Sequence, residues 1–220
     1  MKPIKITLFL LLICNIINLH SQESKDYIEF NDRNNVVHGV YLGLAPHYGE
    51  INGKDTYLWH LKFAYVANRK FEAGIKVVGF YSNQNLPVIG TKERDLVGVY
   101  YGLHFEPILF SKSKVNLSFP LLLGGGVAIY ANGDFTHEQI EKQFEKSDVF
   151  LVAEPGINAL FNISRYLQLE VGIKYRLTNK TKLPPSSLKD ISGFSIGTGI
   201  KIGVFNMGRN RYKKNIKDDN

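Results

Sequence analysis

From residue 36 onward, apolar and polar residues alternate with a period of two, the spacing of a strand that has one apolar face. The pattern is cleanest over 167–178, where Leu167, Leu169, Val171, Ile173, Tyr175 and Leu177 alternate with Gln168, Glu170, Gly172, Lys174, Arg176 and Thr178. One face is wholly apolar and the other carries three charges. The same design recurs near the end of the chain, where Phe194, Ile196, Ile200, Ile202 and Val204 stand against Ser195, Gly197, Gly199, Lys201 and Gly203. It recurs again where Tyr57, Trp59, Leu61, Phe63 and Tyr65 stand against His60, Lys62 and Ala64. Helical periodicity is nearly absent. Turn residues cut the chain into eight expected strands: 36–50, 56–66, 71–82, 96–108, 115–131, 148–161, 167–178 and 191–205.

The connections between these strands alternate in length. Those at 67–70, 109–114 and 162–166 are short, whereas those at 83–95, 132–147 and 179–190 are long, and Asn52-Gly53 marks a tight hairpin turn. Short turns at one end and long loops at the other are the signature of an antiparallel up-and-down barrel of the outer-membrane kind, with the short turns periplasmic. Within one long loop, Thr136-His137-Glu138-Gln139 has the form of a capping box and predicts a short helix with Ile140 and Phe144 one turn apart.

Periodicity cannot say which face meets which solvent. A soluble barrel buries its apolar alternates, and a membrane barrel inverts this. Two features favour inversion. The polar face is rich in glycine (Gly43, Gly74, Gly102, Gly124, Gly172, Gly197 and Gly199 among them), which suits a crowded narrow lumen. The apolar face carries aromatics near strand ends, with Tyr48, Tyr57, Trp59 and Tyr81 toward the long loops and Tyr65, Phe71, Phe105 and Phe161 toward the short turns, like two interfacial girdles. The expected lumen then holds Lys62, Lys76, Lys174, Arg176 and Lys201 against Glu72, Glu106, Glu154 and Glu170. Charges of this kind need partners in a dry interior. Hairpin register places Glu154 opposite Lys174, and Lys201 near Gln168 and Glu170. Eight strands make a barrel just wide enough to be filled by side chains, so an open pore is not expected.

The two ends of the chain read differently. Lys2 and Lys5, the apolar run from Ile6 to Ile17 and a polar stretch to Gln22 have the order of a secretory signal peptide, 1–22. Residues 23–35 then form a periplasmic N-terminal segment, 36–205 the barrel, and 206–220 a basic periplasmic tail. Cys14, the single cysteine, follows the bulky Ile13 where a lipobox needs a small residue, and it would leave with the signal. The mature chain then has no thiol for a disulfide or a metal site. The net charge of +7 includes the two signal lysines and the tail cations Arg209, Arg211, Lys213, Lys214 and Lys217, so it does not argue for nucleic acid.

Candidate chemistry is sparse. His47 and His60 should face each other across the Asn52-Gly53 hairpin, with Ser82 at similar height on the next strand, and a histidine beside a serine is the chemistry of acyl transfer. No orienting carboxylate completes a triad there. His104 and Glu106 share the lumen face at the short-turn end, where a hydrogen-bonded pair is expected. No metal-ligand spacing and no phosphate-binding loop is present, so no metal and no cofactor is expected. Four readings stay open: a structural or interaction barrel with a filled lumen, an outer-membrane lipid-modifying enzyme, a barrel component of a surface secretion apparatus, and a soluble calyx for a small ligand, which would require the apolar alternates to point inward. The expected partners are outer-membrane lipids and a periplasmic or cell-surface protein, with the chain itself a monomer.

Glu154-Pro155-Gly156-Ile157-Asn158, then Asn162-Ile163-Ser164-Arg165-Tyr166-Leu167, then Lys174-Tyr175-Arg176, together resemble a pattern of the small outer-membrane β-barrel proteins of Bacteroidetes-type bacteria. In that family a Glu-Pro-Gly strand, a short turn and a strand ending in Tyr-Arg recur. Phe105-Glu106-Pro107 and the run from Phe119-Pro120-Leu121 to Gly126 are similar to it as well. The resemblance implies outer-membrane residence and no particular chemistry.

Overall fold

A computed structural model of the chain describes residues 37–86, 94–111, 113–132, 147–181, 188 and 190–207. The expected signal peptide, N-terminal segment, loop helix at 136–144 and the tail from 208 onward lie outside the described residues. The strands are β1 (His38–Ile51), β2 (Lys54–Ala67), β3 (Phe71–Leu86), β4 (Arg94–Leu109), β5 (Val115–Ser118), β6 (Leu121–Asn132), β7 (Asp148–Asn162), β8 (Leu167–Thr178) and β9 (Gly193–Met207). Every pairing is antiparallel. β1 pairs with β2, β2 with β3, β3 with β4, β4 with both β5 and β6, these two with β7, β7 with β8, β8 with β9, and β9 returns to β1. The sheet therefore closes on itself and leaves no open edge, the condition under which a sheet satisfies its own backbone.

Nine strands occupy eight positions around the ring. The single strand expected over 115–131 is interrupted at Phe119-Pro120, yet its register runs on unbroken: Ile108 faces Ser118 and Phe105 faces Leu121. Pro120 has no N–H to give to a ladder, and its carbonyl still accepts from the Gly156 amide at 2.8 Å. A proline therefore opens the ladder locally without shifting it. Several strands also run past their expected ends. β3 continues to Leu86 through a register shift after Ser82, because backbone pairing does not stop where the alternation of side chains does.

The apolar alternates point outward, which decides the face assignment. Leu42, Leu44, Leu61, Phe63, Ile75, Val77, Leu103, Ile157, Ile173 and Ile200 are all exposed. Among the described residues, no outward-facing strand position between the two rims is charged. Aromatic residues bound this belt. At the long-loop rim Tyr48 donates to Asp55 at 2.6 Å and Tyr81 to Asp95 at 2.5 Å. Tyr175 packs 4.4 Å from Phe194. At the other rim Phe71 lies 6.4 Å from Phe105. From Tyr57 to Tyr65 a strand rises about 27 Å, or about 20 Å once tilted as barrel strands are, close to the roughly 25 Å apolar band of membrane barrels. The fold is thus an all-β, eight-stranded, antiparallel up-and-down barrel of the transmembrane kind.

Small residues on the inner face make room for large ones. A Cβ on Gly172 would lie 1.9 Å from Asn158 Oδ1, and one on Gly197 would lie 2.5 Å from the His47 ring, so each glycine holds the space its neighbour's side chain fills.

Candidate functional site

The lumen is filled in two layers. Toward the long loops lies an apolar cluster of Ile51, Leu58, Val78, Phe80, Leu96, Leu122, Phe150, Val152, Leu188 and Ile191 with Tyr100, all essentially without solvent contact. Phe80, Tyr100 and Phe150 meet ring to ring at 6.2–6.5 Å. Arg176 caps this cluster: its guanidinium sits 5.7 Å from the Phe80 ring and 5.9 Å from that of Tyr100, and its Nε donates to the Ile191 carbonyl at 2.7 Å.

Toward the short turns lies an ionic network whose hub is Glu106. Its carboxylate accepts from Ser118 Oγ at 2.5 Å, Asn158 Nδ2 at 3.0 Å and Lys201 Nζ at 3.3 Å, is 3.0 Å from His104 Nε2, and has Lys62 Nζ at 3.9 Å. Lys201 also donates to both oxygens of Glu72, at 3.0 and 2.9 Å, and Tyr41 donates to Glu72 at 2.5 Å. Lys62 pairs with Glu170. One layer higher Lys76 pairs with Glu154 at 2.6 Å, and Tyr100 donates to the other oxygen of Glu154. All these groups are buried.

The geometry of this network follows from closure and not from neighbouring strands. Lys62 stands directly across from Lys76, and Glu72 across from Glu106, so along the sheet like charge faces like, an arrangement that destabilises a strand pair. Compensation comes across the lumen, between residues 78 to 129 positions apart in the chain. The expected Glu154–Lys174 cross-strand pair is corrected accordingly. Lys174 faces Gly156, two residues away, while Glu154 reaches over the lumen to Lys76. The turn after β7 has the expected length but sits one residue further along the chain, with Asn162 paired to Gln168, and a one-residue displacement of a turn shifts the register across it by two. Lys201 does face Gln168, and Glu170 lies 3.7 Å from it.

His47 and His60 are brought together, but not as direct partners. His47 pairs with Leu58 and His60 with Ala45, so the two rings are diagonal neighbours and stack with centroids 4.2 Å apart. Lys174 Nζ lies 2.9 Å from His47 Nε2, whereas neither ring nitrogen of His60 has a protein hydrogen-bond partner. Ser82 is elsewhere. It pairs with Thr56, and its Oγ accepts from Thr56 Oγ1 at 2.7 Å and Gln84 Nε2 at 2.8 Å. A nucleophile needs a base within hydrogen-bond reach, and here the hydroxyl is engaged by other groups one layer above the histidines. Sequence reasoning placed all three residues on the lumen face but missed Thr56 and Gln84, whose polarity at inward positions of β2 and β3 was the available signal.

Glu72, His104 and Glu106 offer three ligand atoms within 4.8 Å of one another, a set the sequence spacing did not single out. The ammonium group of Lys201, hydrogen-bonded to both carboxylates, supplies there the positive charge that a metal ion would bring.

A closed barrel with an uncharged apolar belt outside and a packed polar and ionic interior belongs to the class of membrane-spanning β-barrels. No family model and no curated protein matches the chain. Among solved structures it is similar to neisserial surface protein A, at 12% identity and a TM-score of 0.48, covering 77% of this chain and 99% of that one. It is also similar to Ail, the attachment invasion locus protein of Yersinia pestis, at 16% identity and a TM-score of 0.38, over 79% and 99% of the two chains. The structure of Ail in a phospholipid bilayer nanodisc matches at 18% identity and a TM-score of 0.35, over 74% and 99%.

Proposed function

We propose that this protein is a bacterial outer-membrane barrel with a structural or interaction role, exported through residues 1–22 and presenting its long loops at the cell surface and its short turns to the periplasm. The observation that carries this reading is the inverted distribution of side chains: an uncharged apolar exterior around buried ion pairs, an arrangement that is stable in lipid and not in water. The filled lumen argues against conduction, since the apolar cluster around Phe80 and Phe150 would have to part before water could pass. The Glu-Pro-Gly and Tyr-Arg pattern supports kinship with the small barrels of Bacteroidetes-type bacteria. The chain acts as a monomer through its loops and short turns on a protein partner.

Fractionation tests the reading. The protein is expected in the detergent-resistant outer-membrane fraction, with a mobility on unboiled gels that shifts on boiling, and with no stepwise conductance in a planar bilayer. Recovery as a soluble periplasmic protein without a heat-dependent shift would overturn membrane residence, and steady channel openings would overturn the filled lumen. The lipid-enzyme reading is tested by His47→Ala and Ser82→Ala, which here should leave lipid acylation unchanged.

A further inference from the structure

The mouth of the barrel at the short-turn end holds a cavity of about 290 Å³. Three separate hairpin connections form its walls and each contributes a cation: Arg69 between β2 and β3, Lys114 just before β5, and Arg165 between β7 and β8. Among the described residues none of the three has a carboxylate partner, and Arg165 rests 5.8 Å from the Tyr166 ring. Among the described residues Glu72 is the one carboxylate on the wall, and its oxygens are already held by Lys201 and Tyr41. The free charge that the described residues turn to the cavity is therefore positive.

Neutral donors and acceptors complete the wall. Ser164 Oγ accepts from the amides of Tyr166 and Leu167 at 3.2 and 3.1 Å, which leaves its hydroxyl hydrogen to give. Gln168 is buried beside it, with Nε2 bonded to Asn162 and Oε1 without a protein partner.

Arg69 is held there against its backbone preference. The turn Asn68-Arg69 has φ of 50° and 58°, the same left-handed pair as Asn52-Gly53 at the other end, with φ of 53° and 70°. That turn type asks for glycine at its second position. The long-loop hairpin obeys, and the short-turn hairpin places an arginine there whose side chain lines the cavity. The left-handed conformation at Arg69 is local strain carried by a residue whose side chain reaches the cavity.

We propose that this mouth is an anion-binding site, taking the phosphate or carboxylate group of a water-soluble ligand between Arg69, Lys114 and Arg165, with Ser164 as a hydrogen-bond donor. The wall includes inward-facing Val66, Ile108 and Gln168, so the cavity opens along the barrel axis and not through the lipid-facing belt. The ligand arrives from water. The site depends on the barrel mouth alone and stands whichever partner the long loops contact.

The test uses the full chain refolded into phosphatidylcholine nanodiscs and titrated calorimetrically with pyrophosphate. One saturable site is expected, weakened at least tenfold by Arg69→Gly and by Arg165→Gln, and unchanged by Lys70→Gln, a neighbouring cation off the wall. Arg69→Gly should at the same time raise the urea midpoint, a movement opposite to that of binding which misfolding cannot mimic. No saturable binding by the parent chain, or equal binding by both arginine variants, would overturn the site. An equal loss in Lys70→Gln would also overturn it, since attraction would then be diffuse. In nanodiscs containing phosphatidylglycerol the affinity should be unchanged; its loss there would mean that a lipid headgroup fills the mouth, and would overturn a water-soluble ligand.

Discussion

The two halves of the lumen solve the same problem with opposite materials. Toward the long loops, Ile51, Leu58, Val78, Phe80, Leu96, Leu122 and Phe150 fill the barrel as an ordinary protein core does. Toward the short turns, Glu72, Glu106, Glu170, Lys62 and Lys201 fill it with charge. An apolar core tolerates exchange among residues of similar volume, so the upper layer says little about which strand lies opposite which. The ionic layer is partner-specific. Lys62, Lys76 and Lys201 each have a carboxylate that belongs to a distant strand, and the like-charged neighbours Lys62/Lys76 and Glu72/Glu106 are satisfied only when the ring is closed. The lower layer thus reports closure, and the upper layer supplies bulk and seals the bore.

The sharpest way to break this contrast is to remove one charge. Lys201→Met strips Glu72 and Glu106 of their shared donor, and unpairing a buried ion is expected to destabilise the barrel by about 3–5 kcal/mol; urea unfolding of the refolded chain in vesicles measures it. Leu96→Ala in the upper layer, opposite Ser82 and Tyr130, should cost about 2–4 kcal/mol through lost burial and the cavity left behind. It should do so without altering the pairing of the lower layer, which solid-state NMR contacts between Lys62 and Glu170 would report. Replacing a whole pair is gentler. Lys62→Met with Glu170→Leu should lie within about 2 kcal/mol of the parent, well below the sum of the two single changes. If the double variant is as damaging as that sum, the pair is not an isolated unit and Lys201, 3.7 Å from Glu170, shares the charge. Smallest is Arg69→Gly, expected to stabilise by about 1 kcal/mol because the turn no longer holds an L side chain in a left-handed conformation.

Much of the fold was legible because membrane strands write themselves in period two. Leu167 to Thr178 was placed to the residue, and the tight turn at Asn52-Gly53 was plain from a dipeptide whose residues accept positive φ. The break at Pro120 was harder to see. The apolar alternation runs through Phe119 and Leu121, so the pattern reads as one strand and only the missing amide interrupts it. The inner charges were recognised as a set, but their pairing was not. Counting across the turn at 162–166 put Glu154 beside Lys174, and a one-residue displacement of that turn moves every cross-strand neighbour by two. The catalytic candidates show the same limit. Hairpin register brought His47 and His60 near each other, whereas the engagement of Ser82 by Thr56 and Gln84 depends on rotamers chosen inside a packed lumen.

By itself the sequence determined which residues share a face, where the chain turns, and that one face is continuous apolar surface while the other holds balanced charge, because a strand's two-residue period is a local property. Only the tertiary structure decided that the apolar face points out, that Lys76 meets Glu154, that Glu106 gathers five groups, and that Arg69, Lys114 and Arg165 ring one cavity. Those facts join residues that lie far apart along the chain, and only closing the sheet into a ring brings them within reach of one another.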